Sequence, residues 1–159
     1  MPGNLAAKER AIVTLTTTGA SLTSGSAGAA NGTAEFDARA AGNFADDFQA
    51  QFEFVAQWAT VTGITVNTVA AELYLVPLVD GTNLPDVDLT AGSSALPLAT
   101  FVGVFQFVKV PTAATNMRFV SPIVQFNPLL HRAYILPRAG QTTSANWSLK
   151  AVGVQGQYT

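Results

Sequence analysis

The sequence predicts an all-β domain, a two-sheet antiparallel sandwich of about eight strands with the jelly roll as first choice over a small barrel. Three observations carry this. Runs rich in β-branched and aromatic residues recur along the chain, separated by clusters of Gly, Pro, Asn and Asp. One run alternates apolar and polar residues from Phe48 to Trp58, a pattern that makes no sense on a helix. No segment shows a convincing helical period: residues 40–51 contain helix formers, but their second half repeats every two residues.

Taken in order, Ala11 to Thr17 is the first predicted strand, built on Ile12, Val13 and four threonine or leucine positions that suit a pleated surface. Ser21 to Thr33 follows, rich in Gly, Ser and Ala with no large residue after Leu22, and reads as a loop or weak edge. Thr33 to Arg39 is a short strand with Ala34, Phe36 and Ala38 on one face and Glu35, Asp37 and Arg39 on the other. In the clearest strand, Phe48, Ala50, Phe52, Phe54, Ala56 and Trp58 share one face. Gln49, Gln51, Glu53 and Gln57 share the other, so one side is buried and one is wet.

Ala71 to Val79 contains Pro77, which places it at an edge or a bulge. Thr100 to Val110 puts Phe101, Phe105 and Phe107 on one parity, with Gly103 permitting a bend. Asn116 to Phe126 is interrupted by Pro122. Arg132 to Leu136 stops at Pro137. Trp147 to Val154 closes the domain and leaves Gln155 to Thr159 as a polar tail. The predicted organisation is an N-terminal arm over residues 1–10 and one sandwich domain over 11–159.

Composition narrows the function. Charged residues are 11% of the chain, against about 25% in an average soluble domain. Only Lys8, Lys109 and Lys150 are lysines, and the net charge is -2. Protein interfaces are depleted in Lys, Glu and Asp because burying them costs desolvation. A bland exterior therefore suits a subunit with much covered surface, although a host with an Ala/Thr/Gly-rich composition gives the same figure. The absence of cysteine excludes disulfides, thiolate metal sites and a cysteine nucleophile. Basic residues are scattered and form no stripe with aromatics, which argues against nucleic acid. No apolar run is long enough for a membrane helix. Met1 to Arg10 lacks the apolar core of a signal peptide, so assembly in a cytoplasm is expected.

Catalytic chemistry finds few candidates. His131 is the only histidine, and a lone His is more often a surface or hydrogen-bonded residue than a ligand or base. Glu35 and Asp37 share a parity but read as the solvent face of a strand. In Asp80-Gly-Thr-Asn83-Leu-Pro-Asp86-Val-Asp88, four carboxylate or carboxamide side chains crowd together and form the best candidate for a hard cation such as calcium. The same residues are ordinary turn formers, and the EF-hand spacing is missing. Trp58, Trp147, Tyr74, Tyr134 and Tyr158 could present rings to a sugar. Trp58 has the buried parity, whereas Tyr74 has room to face outward. The expectation is a protein that is not an enzyme and holds no cofactor.

The order of these pieces resembles virion structural proteins of tailed bacteriophages, in particular jelly-roll head decoration (cement) proteins. The likeness spans residues 48–159 and rests on YLVPLVDGTN, FNPLLHRAYILPRAGQ and WSLKAVGVQGQYT. The resemblance implies a subunit on the capsid exterior. It would form dimers or trimers with copies of itself and bridge neighbouring major capsid protein subunits through many weak contacts. It further implies partner contacts through the N-terminal arm, at Pro2, Asn4, Leu5, Lys8 and Arg10, ordered on docking. A head-fibre base, tail or adaptor part is the nearest alternative, and a carbohydrate-binding sandwich module comes from a different class.

Overall fold

A computed structural model of the chain describes residues 5–9, 12–18, 21–22, 34–37, 49–78, 100–125, 130–144 and 147–158. Among these there are ten strands and no helix. They are β1 (Leu5–Glu9), β2 (Val13–Thr18), β3 (Ala34–Asp37), β4 (Gln49–Ala56), β5 (Val69–Leu78), β6 (Thr100–Gln106), β7 (Met117–Val120), β8 (Val124–Gln125), β9 (Leu130–Pro137) and β10 (Trp147–Tyr158). Every described pairing is antiparallel. The fold is all-β, a sandwich of two antiparallel sheets.

The larger sheet runs β1-β10-β4-β7, with β2 also on β10 and β8 also on β4; the smaller runs β3-β9-β5-β6. β1 and β2 occupy successive stretches of one flank of β10, and β7 and β8 do the same on β4. Each sheet therefore has four lanes. The pairing is nested: the outermost lanes β1/β2 and β10 meet, then β3 and β9, then β4 and β7/β8, and innermost β5 and β6.

The core fills the space between the sheets. The inward positions of β4 are Ala50, Phe52, Phe54 and Ala56, alternating with half-buried neighbours as the period-2 pattern demands. Phe54 lies at the centre, with ring centroids of Phe105, Phe119 and Trp147 at 5.5, 5.9 and 6.3 Å. Trp58 packs edge-on against Phe107 at 5.0 Å and, with 1% of its surface exposed, is core as its parity predicts. Phe52 is opposite Ala151 in register, so a large ring is matched by a small side chain on the adjoining lane.

Local irregularities correct several expectations. β10 does not end at Val154; it continues to Tyr158 and pairs residue by residue with β1. Leu5 and Lys8 of the expected arm are thus strand residues, and Gln155–Tyr158 is a strand instead of a tail. Apart from Tyr158, nothing in LAAKE or QGQY has strong β-propensity, so the pairing rests on backbone hydrogen bonds that sequence pattern does not report. Pro2, Asn4 and Arg10 lie outside the described residues, as do residues 23–33 of the Gly/Ser/Ala stretch. Leu22, at its entrance, is fully buried. Its N–H donates to Thr143 Oγ1 (2.9 Å), and its carbonyl accepts from Thr143 N–H (3.0 Å).

Phe101 departs from the parity of Phe105 and Phe107. Leu73 is opposite Gly103 but Tyr74 is opposite Phe101, so Val102 is an extra residue in β6. A one-residue bulge turns every earlier side chain to the other face. Phe105 and Phe107 stay in the core while Phe101 is 54% exposed. Pro77 lies where β5 has run past its described pairing with β6, which ends at Leu75, and is paired only with β9. This is the local edge its missing N–H requires. Pro122 also acts as anticipated: it splits one lane into β7 and β8.

Candidate interface on the open side of the sandwich

One side of the sandwich is bounded by β6, the last lane of the smaller sheet, and by β7/β8, the last lane of the larger. Each carries a break in regular pairing. In β6 it is the bulge at Val102. Between β7 and β8 it is Ser121-Pro122-Ile123, three residues set against Gln51 and Phe52 of β4, again one residue more than the partner strand. Ser121 closes that break. Its hydroxyl accepts from Phe52 N–H (2.9 Å) and donates to the Pro122 carbonyl (2.7 Å), and its own N–H donates to the Phe52 carbonyl (2.8 Å). Gln51 Nε2 donates to the Ser121 carbonyl (2.9 Å). A buried hydroxyl so satisfied fixes the chain reversal that presents Val120 and Ile123 outward.

These two lanes and the turn after β6 display most of the large apolar side chains that remain exposed among the described residues. They are Phe101, Val104, Val108 and Val110 on one lane and Val120 and Ile123 on the other; Val108 is 85% exposed. Only Ile12 and Val66 lie elsewhere. The lanes meet in a furrow of about 140 Å³, walled by Val104, Gln106, Val108, Arg118 and Val120 and floored by Phe105, Met117 and Phe119. Arg118 and Val120 also form one wall of a shallow depression of about 270 Å³ on the outer face of the larger sheet.

The charge in that depression is cross-strand. Lys150 of β10 is directly opposite Glu53 of β4, with Nζ–Oε1 3.5 Å, and Arg118 reaches diagonally from β7 to Glu53 Oε2 at 2.9 Å. Arg118 is 68% exposed, so the pair adds little to stability and leaves the guanidinium available to a partner. One carboxylate between two cations gives this part of the surface a net positive charge.

The outer face of the smaller sheet carries a second polar group. Glu72 Oε2 accepts hydrogen bonds from Tyr74 Oη (3.0 Å) and Arg138 Nη2 (3.0 Å). Tyr74 does face away from the core, and its ring is tilted 57° against that of Phe101. Burial, and then the Glu72 hydrogen bond and charge, push the Tyr74 phenol above its ordinary value of 10.0. A raised folded-state value stabilises the fold at every pH below that ordinary value and is lost as pH climbs through the raised one. In an alkaline titration followed by tyrosine absorbance, the Tyr74→Phe variant is expected to lack a component that ionises above pH 10. In Glu72→Gln that component moves down; an unchanged curve in both variants contradicts the assignment.

Of the other residues singled out by sequence, Trp147 and Tyr134 are buried along with Trp58, so their rings do not form an exposed platform. His131 is buried in β9, opposite Phe36 of β3 and Pro77 of β5, and is not a surface residue. Asp80, Asn83, Asp86 and Asp88 lie outside the described residues. Among the described residues no three His, Asp or Glu side chains gather as a metal site. The open side itself was not legible in advance, because it requires the lane order. The available signal was the uncharged run TFVGVFQ, since isolated proteins guard an edge strand with charge or proline.

The molecule is thus an antiparallel β-sandwich with an apolar, cation-flanked open side. The chain matches no protein-family model, and no curated protein matches it.

Proposed function

We propose that this chain is a structural subunit of a virion, a capsid decoration protein that sits on the outer face of the head and bridges major capsid protein subunits. The observation that carries this reading is the open side, where Val104, Val108 and Val120 stand exposed around one furrow between the two end lanes. Burying one such side chain is worth roughly 1.5–3 kcal/mol. Covering these three half-exposed ones is therefore worth about 2–5 kcal/mol, a sizeable part of the whole stability of a small domain. A monomer that keeps such a patch uncovered is prone to associate, whereas an assembly subunit uses it.

Two further features support the reading. The nested pairing of eight lanes supports reading the sandwich as a jelly roll, a fold that recurs in viral capsid domains. The low charge content of 11% suits a molecule much of whose surface is covered.

The test is binding to heads assembled without this chain. Purified protein is expected to sediment with such heads and to saturate at a fixed number of copies per head. Protein that stays in the supernatant at every concentration overturns the assignment, and protein found on tails or fibres by labelled electron microscopy moves it to another virion part.

A further inference from the structure

The furrow between β6 and β7 and the depression on the outer face of the larger sheet share a wall, since Arg118 and Val120 line both. Ile12 also lines the depression and is 70% exposed. The exposed apolar surface that begins at Val108 and Val104 therefore continues past Val120 to Ile12, a residue the open side by itself leaves unexplained. Among the residues lining the two features, Glu53 is the only acid, and Arg118 and Lys150 are the only cations. Each Glu53 oxygen takes one cation: Oε2 meets Arg118 Nη1 at 2.9 Å and Oε1 meets Lys150 Nζ at 3.5 Å. One positive charge is left unbalanced. A guanidinium has five N–H donors, and the contact with Glu53 engages Nη1 alone.

We propose that furrow and depression form one groove for an extended segment of a partner protein in which an acidic residue is flanked by apolar ones, the acid seated against Arg118 and Lys150. This rests on the assembly reading above and names the chemistry of the segment by which the partner is held. A second carboxylate completes a square of alternating charges with Arg118, Glu53 and Lys150 and cancels the surplus charge. The apolar neighbours of that acid cover Val104, Val108, Val120 and Ile12, and by excluding water they strengthen the ion pairs beside them. The depression, at about 270 Å³, has the space of about nine waters at roughly 30 Å³ each, enough for an acidic side chain and part of the next residue. A nucleic acid fits less well: its phosphates would approach Glu53, and the valine and isoleucine walls offer it no ring to stack on.

The experiment titrates the full chain, followed by NMR, with a pool of acetylated, amidated peptides X-Thr-X-Glu-X-Thr-X, where X is Val, Ile, Leu or Phe, and with the same pool carrying Gln in place of Glu. The Glu pool is expected to move the Arg118 Nε–H resonance and the methyl resonances of Ile12, Val108 and Val120. The Gln pool is expected to bind about three- to tenfold more weakly, as the loss of two exposed ion pairs implies. Arg118→Glu, checked for native thermal melting, is expected to lose the preference for Glu, whereas Ile12→Ser weakens both pools alike. The inference is overturned if the Glu pool leaves Arg118 and Ile12 unmoved, or if both pools bind wild type equally. It is equally overturned if single-stranded oligothymidylate moves Arg118 at lower concentration than the Glu pool, or if dilution of the protein alone moves the same resonances, which makes a second copy the occupant. Heads assembled without this chain separate the two readings. A wild type that binds the Glu pool but never binds heads removes the decoration reading and leaves the groove standing, while one that binds heads but not the Glu pool does the reverse.

Discussion

Replacing Phe54 by alanine is expected to lower the unfolding free energy by about 3–5 kcal/mol, the range for truncating a fully enclosed aromatic ring. Phe54 has no exposed surface and is ringed by Phe105, Phe119 and Trp147, which come from three other lanes and both sheets. The cavity left behind cannot collapse without shifting rings that are fixed by other neighbours: Phe119 stands edge-on to Phe107 at 5.3 Å and is 6.2 Å from Phe105. The loss is a large share of the roughly 5–15 kcal/mol that holds a typical domain folded. Urea unfolding followed by tryptophan fluorescence measures it, with Val108→Ala, a substitution at an exposed turn residue, as the matched control expected to change little. A Phe54→Ala loss below about 1 kcal/mol means that the sheets are not packed face to face at this ring.

Leu22→Ala is expected to cost about 2–5 kcal/mol, as for other buried leucines. The number matters because Leu22 stands at the start of a stretch whose composition otherwise speaks for a loop. Its side chain is fully buried in the main core, and its backbone is clamped on both sides by Thr143, itself bridged to Trp58. These three residues continue the β2-β10-β4 row past the ends of the named strands. Amide hydrogen exchange provides a second readout: Leu22 N–H is expected to be protected in wild type and to exchange faster in the variant. A near-neutral Leu22→Ala, with an unprotected amide in wild type, shows that the segment is not anchored there.

How much was legible in the sequence depends on whether a residue obeys the local period. β4 was readable because its apolar and polar residues alternate without a slip, and the structure places Phe52, Phe54 and Trp58 where that alternation puts them. Phe101 was not readable, since one inserted residue at Val102 reverses its face while the letters keep their spacing. Pro122 announced an interruption but not its form, which depends on Ser121 finding Phe52 across the sheet. β1 and the end of β10 were missed for a different reason. Their side chains carry almost no β signal, and only the partner strand makes them strands. The open side lies beyond any such reading, because it exists only once β6 and β7 are known to end their sheets on the same flank.

The nested pairing also governs when the molecule can exist at all. Leu5 is joined to Tyr158 and Trp147 to Thr18, so the larger sheet lacks one of its two inner strands until the chain has been synthesised through β10. Contacts so distant along the chain form late and slowly, since loop closure must precede them. During translation the phenylalanines of β4 therefore wait beside the ribosome without the part of their cover that β10 supplies. A nascent chain of this topology depends on dilution or on chaperones until its last strand arrives.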